Sequence, residues 1–252
     1  MTVHRVDQTT TGEQFAQQGW LHVPSLGVSP AEVAEARALM DGLFDRFGSL
    51  PKRYAADLGG GSDPHAPVLP EILDVSTLAP ALRRTALYRS AHRLARQLLG
   101  PDAFLIYDHA IYKPPGRAGT TSWHQDSGFD SDLTNSLAVW VPFQDTAVVD
   151  GAMRYVPQSH LGGPRPHLTR TTADGKEVKH LLVDDADAVD VPCLVGGATV
   201  HDLHMVHGAG PNLGTNVRRA WILDFATAPP LRRAARGVKF ALRSRFRPVL
   251  AR

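Results

Sequence analysis

The stretch from Phe104 to Asp126, FLIYDHAIYKPPGRAGTTSWHQD, decides the fold because it joins a long β-favouring run to a Pro-Pro-Gly turn and a His-x-Asp pair. Short runs rich in β-branched and aromatic residues, bounded by turn residues, are typical of strands. Further runs of this kind follow at 136–143, 153–156, 198–200 and 219–225. The pattern predicts antiparallel sheets packed as a barrel or jelly roll.

Two helices are predicted before this β-rich part, where they would buttress one sheet. Ser29-Pro30-Ala31-Glu32 combines a hydroxyl N-cap, a proline at the first helical position and the glutamate of a capping box. Apolar residues from Val33 to Phe47 keep a three-and-four spacing, and Gly48 is the predicted end. A second helix is predicted from about Leu82 to Leu99, before Gly100-Pro101.

We expect one domain over residues 1–252, because a chain of 252 residues fits a single all-β domain. It would comprise a helical N-terminal part at about 1–102, a jelly-roll core at about 103–228 and a basic C-terminal tail at about 229–252. The segment 165–190 is polar and irregular, either a lid or a plain surface excursion. The tail indicates a solvated face or a loose end, and the alternative is a docking patch for a carrier protein or coenzyme A ester.

Composition excludes several classes of protein. The formal net charge is +2 and the body of the chain has no basic stripe interleaved with aromatics, so we expect no nucleic acid partner. Cys193 is the single cysteine, which excludes a disulfide scaffold and favours a small buried hydrophobe over a nucleophile. No long apolar run predicts a membrane span, and residues 1–11 lack the apolar core of a signal peptide. We therefore expect a cytoplasmic monomer or homodimer with a small-molecule substrate and no membrane partner.

His124 and Asp126 are the first candidates for a metal site. In an extended segment, residues two apart face the same side with roughly 7 Å between their Cα atoms, so both can reach one ion. A distant strand is expected to supply the third ligand, and His207 suits this role because the Gly-rich turn after it lets backbone approach a cofactor. Two histidines compete with it. His204 would face the opposite side of a strand, whereas His201 shares the parity of His207 but lacks the glycine turn.

An arginine completes the constellation. Two histidines and one carboxylate on one face of an octahedral ion leave three positions open, as in non-haem iron(II) oxygenases. A bidentate 2-oxo acid would take two of them and dioxygen the third. A 2-oxo diacid also needs a cation for its far carboxylate, which a guanidinium binds through two parallel hydrogen bonds. We prefer Arg218 to Arg219, because adjacent strand residues face opposite ways and only one can point inward.

These motifs resemble the phytanoyl-CoA dioxygenase superfamily of 2-oxoglutarate oxygenases. The resemblance spans most of the chain and rests on Gln18-Gly19-Trp20 with the Ser29-Pro30 helix, Tyr112 to Gly116, Trp123 to Asp126, Asp150 to His160, and His207 to Asn212 followed by Arg218-Arg219-Ala220. It implies a mainly β double-stranded β-helix of the jelly-roll or cupin-like kind, with buttressing α-helices. It also implies iron(II), 2-oxoglutarate and dioxygen.

The resemblance further implies roles for single residues. His124, Asp126 and His207 would be the metal ligands and catalytic residues, and Arg218 would bind 2-oxoglutarate. Trp140 would lie beside the co-substrate, and ordinary core packing is the alternative.

His109 is a further implied contact to the co-substrate. It alternates with Tyr107, Ile111 and Lys113 on a strand where similar proteins place polar contacts to co-substrate or substrate. Ile111 is apolar here, and Ala209 stands where relatives often have a serine hydroxyl. These departures affect only the minor carboxylate contacts.

The predicted activity is oxidation, foremost hydroxylation, of a C–H bond in a small organic molecule, with release of succinate and CO2. A bacterial natural-product intermediate is the candidate substrate, and a partly apolar pocket is predicted around Met205, Phe129, Trp123 and Trp221. Related halogenating enzymes lack the carboxylate of Asp126, which therefore favours oxygen insertion, desaturation or ring closure. The alternatives are a zinc-type hydrolase or lyase, which would not need the arginine, and a non-catalytic jelly-roll binding module, which would bind no metal.

Overall fold

The structure is a computed structural model that describes residues 8–61, 63, 65–116, 119–128, 135–171 and 177–227. The helices are α1 (Gln8–Gln18), α2 (Pro30–Phe44), α3 (Val75–Leu78) and α4 (Ala86–Leu99). The strands are β1 (Trp20–Val23), β2 (Ala55–Asp57), β3 (Pro70–Leu73), β4 (Phe104–Lys113), β5 (Thr121–His124), β6 (Ser136–Pro142), β7 (Met153–Tyr155), β8 (Leu168–Thr171), β9 (Glu177–His180), β10 (Val189–Val191), β11 (Ala198–Asp202), β12 (His207–Ala209) and β13 (Arg218–Ala226). None of these helices has the length and hydropathy to span a bilayer. The predicted basic tail at 229–252 lies outside the described residues.

Two antiparallel sheets form the body of the protein. The larger has the strand order β1-β11-β6-β13-β4-β3-β2, the smaller has the order β10-β7-β12-β5, and β8 and β9 form a separate hairpin. One apolar cluster joins residues of both sheets, including Trp140 and Ile222 from the larger and Met153 and Tyr155 from the smaller. This confirms the predicted mainly β jelly roll. The N-terminal part was predicted to be helical. It also contains strands β1 to β3, which join the larger sheet.

Helix α2 begins as the sequence predicts. The backbone N–H of Ser29 donates to Oε2 of Glu32 at 2.8 Å, and the backbone N–H of Glu32 donates to Oγ of Ser29 at 3.3 Å. This reciprocal pair satisfies two of the free donors at the helix start. The predicted end was wrong, because α2 stops at Phe44 and Phe47 begins a short 3-10 helix.

The predicted start of the second long helix was also wrong. Leu82 lies in a 3-10 helix over Pro80–Arg84, and α4 begins only at Ala86. The hydroxyl of Thr85 accepts the backbone N–H of Tyr88 at 3.2 Å, which makes Thr85 the N-cap. The helix therefore begins after the capping residue Thr85, which the apolar spacing alone does not reveal.

The larger sheet has two different faces, and β13 shows both. Its odd-numbered residues Trp221, Leu223 and Phe225 are fully buried in the cluster that includes helices α2 and α4. Its even-numbered residues Ala220 and Ile222 belong to the cluster between the two sheets. Strand periodicity thus sends one set of side chains to the helices and the other to the interior of the jelly roll.

The segment 165–190 is more ordered than predicted. It contains the β8–β9 hairpin, a short 3-10 helix over Asp185–Asp187 and strand β10, which pairs with β7. All four residues of β8 are exposed, so no apolar face marked this strand in the sequence. The prediction of an irregular segment was therefore wrong.

Candidate metal centre

Strand pairing brings the three predicted ligands together. His124 ends β5, Asp126 opens the 3-10 helix directly after it, and His207 opens β12. Strands β5 and β12 are antiparallel neighbours with His207 opposite His124. Residues 83 positions apart in the sequence (207 − 124) thus become cross-strand partners.

One donor atom from each of these side chains lies within 4.8 Å of the others. Oδ1 of Asp126 lies 3.3 Å from Nε2 of His124 and 3.7 Å from Nε2 of His207. Nδ1 of His124 lies 2.7 Å from the carbonyl of Ser122, and Nδ1 of His207 lies 2.9 Å from that of Met205. Because a carbonyl only accepts, each Nδ1 carries the proton and each Nε2 offers its lone pair to the shared point. This donor set fits a divalent ion such as iron(II).

Electrostatics favour the metal-binding forms of two of the ligands. Burial raises the pKa of Asp126, but His207, His124 and His201 outweigh it and hold that pKa well below its usual range. Burial and the charge of His201 hold the pKa of His207 well below normal, which keeps the ring neutral. Burial also lowers the pKa of His124, but the hydrogen bond and charge of Asp126 raise it above normal overall. A bound cation would replace the proton that His124 otherwise shares with Asp126.

His201 supports the site instead of competing for it. Its Nε2 lies 3.2 Å from Oδ2 of Asp126, the oxygen that points away from the two ligand imidazoles. Its Nδ1 lies 3.2 Å from the hydroxyl of Tyr155, which also bonds Thr199 at 2.8 Å. Sequence reasoning identified the shared parity of His201 and His207 but missed this contact, because it depends on how the two sheets face each other.

Arg218 points inward and Arg219 points outward. The side chain of Arg219 lies against helix α2, with Nε 3.0 Å from Oδ1 of Asp41. Arg218 is only 3% exposed, and within the described residues its Nε has no hydrogen-bond partner. Burial lowers the pKa of Arg218 to about 9. The guanidinium lies 5.6 Å from the ring centroid of Trp140, so the two residues predicted to contact the co-substrate are neighbours.

A second buried cation lies beside this arginine. Lys113 is the register partner of Arg218 on β4, and its Nζ donates to the carbonyls of Ala209 and Gly210 at 3.2 and 2.7 Å. Burial, followed by the charge of Arg218, lowers the pKa of Lys113 well below normal. The resemblance predicts Lys113 on a strand where similar proteins place polar contacts to co-substrate or substrate, but it does not predict these two carbonyl partners.

His109 lies on the same inner face and has a partner of its own. Its Nδ1 is 2.7 Å from Oε1 of Glu71 on the neighbouring strand. Burial by itself lowers the pKa of His109, but the nearby carboxylates, foremost Glu71 through its hydrogen bond and charge, raise it to about 9. The ring also stacks on Tyr107 with 5.1 Å between centroids.

The residues assigned to the predicted apolar pocket do not lie together. Met205 lies in the cluster between the sheets, but Trp221 lies on the outer face and donates its Nε1 hydrogen to Asp108 at 3.1 Å. Trp123 faces away from the metal ligands. Its ring centroid lies 5.1 Å from the guanidinium carbon of Arg154, and its Nε1 donates to Oδ1 of Asp185 at 3.1 Å. Assigning these two tryptophans to the pocket was wrong, and Phe129 lies outside the described residues.

Comparison with known proteins shows the family. The family model described as phytanoyl-CoA dioxygenase (PhyH) matches residues 15–220. A probable alpha-ketoglutarate-dependent hypophosphite dioxygenase of Stutzerimonas stutzeri is 29% identical over 54% of this chain and 49% of its own. The phytanoyl-CoA dioxygenase domain-containing protein 1 of Bos taurus is 26% identical over 74% of this chain and 63% of its own. This chain therefore spans less than two thirds of either curated relative.

Solved structures with the same fold cover nearly the whole chain. EvdO2 from Micromonospora carbonacea var. aurantiaca, complexed with 2-oxoglutarate, is 31% identical, has a TM-score of 0.74 and aligns over 91% of this chain and 93% of its own. SnoK, an alpha ketoglutarate dependent carbocyclase from nogalamycin biosynthesis, is 26% identical, has a TM-score of 0.68 and aligns over 87% of this chain and 83% of its own. Because the family model extends across the three converging ligands and the inward arginine, the chain belongs to the phytanoyl-CoA dioxygenase family.

Proposed function

We propose that this chain is an Fe(II)- and 2-oxoglutarate-dependent oxygenase that oxidises a C–H bond of a small organic molecule. One observation carries the proposal: two imidazoles and a carboxylate converge while a buried guanidinium without an ion pair in the described residues lies on the facing sheet. The first group suits iron(II), and the second suits the far carboxylate of a 2-oxo diacid. A zinc hydrolase with the same ligands would leave the buried arginine without a function.

The side chains have distinct tasks in this proposal. His124, Asp126 and His207 bind iron from one side, and His201 fixes the second carboxylate oxygen so that the first faces the metal. Arg218 binds the C5 carboxylate of 2-oxoglutarate, and Trp140 packs beside it. Bound iron(II) and 2-oxoglutarate supply dioxygen activation coupled to formation of succinate and CO2.

The proposed reaction outcome is hydroxylation of a natural-product intermediate. Asp126 occupies the position that related halogenating enzymes leave open for chloride, which supports oxygen insertion. SnoK bears the name of a carbocyclase, so this family also contains ring-closing members. Turnover under isotopically labelled dioxygen should place one labelled oxygen atom in the product. An unlabelled, ring-closed or epimerised product would contradict hydroxylation without contradicting the oxygenase class.

The cofactor assignment is tested by the anaerobic absorption spectrum of the protein with iron(II) and 2-oxoglutarate. Chelation of iron by the 2-oxo acid should produce a metal-to-ligand charge-transfer band. Arg219→Met should keep the band, since this side chain points to helix α2. Absence of the band from the wild-type protein would remove the proposed function.

A further inference from the structure

A row of side chains crosses the inner face of the larger sheet at the level of the metal ligands. Register partners on successive strands define it as Trp20, His201, Ala138, Asp224 and Tyr107. At one point of the row, His201 contacts Asp126. Two strands further on lies Asp224, which strand spacing places about 10 Å from His201. Ala138 stands between them and contributes only a methyl group, which leaves room above the sheet.

Asp224 is an unusual residue for this position. It is 8% exposed, and in the described part of the chain its Oδ1 has no hydrogen-bond partner. Its neighbours along the inner face of β13 are Ile222 and Ala226, which are apolar. A buried polar atom without a partner destabilises the folded protein, so its retention calls for a reason, and completion of the bonding by a bound ligand is one such reason.

The place of Asp224 in the fold separates it from the co-substrate. Arg218 and Asp224 lie on the same face of β13, six residues apart (224 − 218), which corresponds to about 20 Å along a strand. In the proposed function, 2-oxoglutarate extends from Arg218 to the metal. Asp224 therefore lies beyond the metal end of the proposed co-substrate position, on the part of the inner face that 2-oxoglutarate leaves free.

The charge around Asp224 indicates which chemical group it would accept. Burial, followed by the charge of Asp126, raises the pKa of Asp224 well above normal, although His109 opposes this. A neutral carboxyl group both donates and accepts a hydrogen bond, and so does a hydroxyl group. A substrate ammonium would need an ionised partner and would meet the imidazolium of His109, which already pairs with Glu71.

We propose that Asp224 binds a hydroxyl group of the prime substrate beside the metal, so that the substrate carries a hydroxyl group near the carbon that is oxidised. This inference rests on the proposed function, which places the co-substrate at the Arg218 end of β13. Asp224 thereby selects which substrate binds. In the described part of the inner face, no other buried carboxyl oxygen lacks a hydrogen-bond partner.

Calorimetric titration of the metal-free, full-length chain tests this inference. The probes are methyl hexosides and methyl pentosides, with 2-methoxytetrahydropyran as the ring without hydroxyl groups. At least one glycoside should bind more tightly than the bare ring. Asp224→Asn retains a donor and an acceptor and should bind that glycoside within about threefold of wild type, whereas Asp224→Leu should weaken binding at least about tenfold. Asp187→Leu on the surface is the control and should change nothing.

Thermal unfolding is a second measurement. It separates ligand binding from a structural role of Asp224, because the loss of a structural residue would lower the melting temperature. Asp224→Leu should keep or raise the melting temperature, because the substitution removes a buried carboxyl group whose Oδ1 has no hydrogen-bond partner in the described part of the chain. The inference is overturned if no glycoside is preferred to the bare ring, or if Asp224→Leu binds glycosides like wild type. It is also overturned if Asp224→Asn loses binding as fully as Asp224→Leu. The outcomes differ from failure of the proposed function, which shows as a missing charge-transfer band while glycoside binding to metal-free protein is unaffected.

Discussion

The two faces of β13 differ in their contribution to the protein. The outer face contributes to stability, and the inner face carries polar groups proposed to bind ligands. The outer face presents Trp221, Leu223 and Phe225, all fully buried against the helices. The inner face presents Arg218 and Asp224, which are almost as buried but leave Nε and Oδ1 without partners in the described residues. Adjacent residues thus act in opposite ways. One set contributes the free energy of burial, and the other retains polar groups at the expense of that free energy.

The largest expected effect comes from breaking the outer face. Trp221→Ala removes a fully buried indole and its hydrogen bond to Asp108, so we expect a loss of about 3–5 kcal/mol in the free energy of unfolding. Urea denaturation measures this. Iron(II) and 2-oxoglutarate should still bind to the fraction that remains folded. A loss below about 1 kcal/mol would contradict the assignment of Trp221 to the outer core.

Arg218→Met is the corresponding change on the inner face. We expect 2-oxoglutarate affinity to fall about 100-fold, because a buried bidentate ion pair is lost. The melting temperature of the ligand-free protein should rise, because the change removes a buried cation that has no ion pair among the described residues. Calorimetry and thermal unfolding measure the two quantities. Unchanged affinity would exclude Arg218 from the co-substrate site and would favour the zinc-type alternative.

His109 sharpens the comparison, because it is an inner-face polar group that does have a partner. Its pKa is about 9 in the folded protein against 6.5 ordinarily, so the Glu71 pair stabilises the fold fully below about pH 6.5 and loses this contribution as the pH rises through 9. We expect the difference in unfolding free energy between wild type and His109→Gln to shrink by about 3 kcal/mol from pH 6 to pH 10. A difference that does not change with pH would show that the imidazole is not charged in the folded state.

The smallest expected effect concerns the support of a metal ligand. His201→Gln removes the ring that holds Oδ2 of Asp126, so iron(II) affinity should fall about tenfold while 2-oxoglutarate affinity of the loaded protein stays within about twofold. Competition with a metal-binding dye measures the first quantity. His204→Gln is the matched control, since His204 is not among the converging side chains. Equal losses in both variants would contradict a specific contribution from His201.

Local rules predicted much of this structure from sequence. The capping box fixes the start of α2, strand alternation turns Arg218 inward and Arg219 outward, and the order of β-rich runs predicts a jelly roll. Applied along the whole of β13, the same alternation excludes Trp221 from the interior and brings Asp224 into it. The error with Trp221 was therefore a rule left unused, not information missing from the sequence.

Other features depend on distance in three dimensions and leave no local signal. The contact of His201 with Asp126 requires β11 to lie opposite the end of β5, and the pairing of Glu71 with His109 joins residues 38 positions apart. Strand β8 has no buried residue, so hydrophobic periodicity cannot reveal it. The roles of the site residues remain proposals that the variants above are designed to test.

The outer face of β13, where Arg219 pairs with Asp41, has a consequence for how the chain can fail to fold. If β13 slipped by one residue against its neighbours, every side chain would change sides, and the arginine meant for the interior would meet helix α2 instead. In that alignment Asp41 could pair with Arg218 as well, so the salt bridge alone does not select the register. Trp221 and Leu223 do select it, because both would leave their apolar contacts with the helices in a shifted strand. The packing of these two outward side chains therefore keeps Arg218 on the inner face, and contacts outside the metal centre decide which side chains line it.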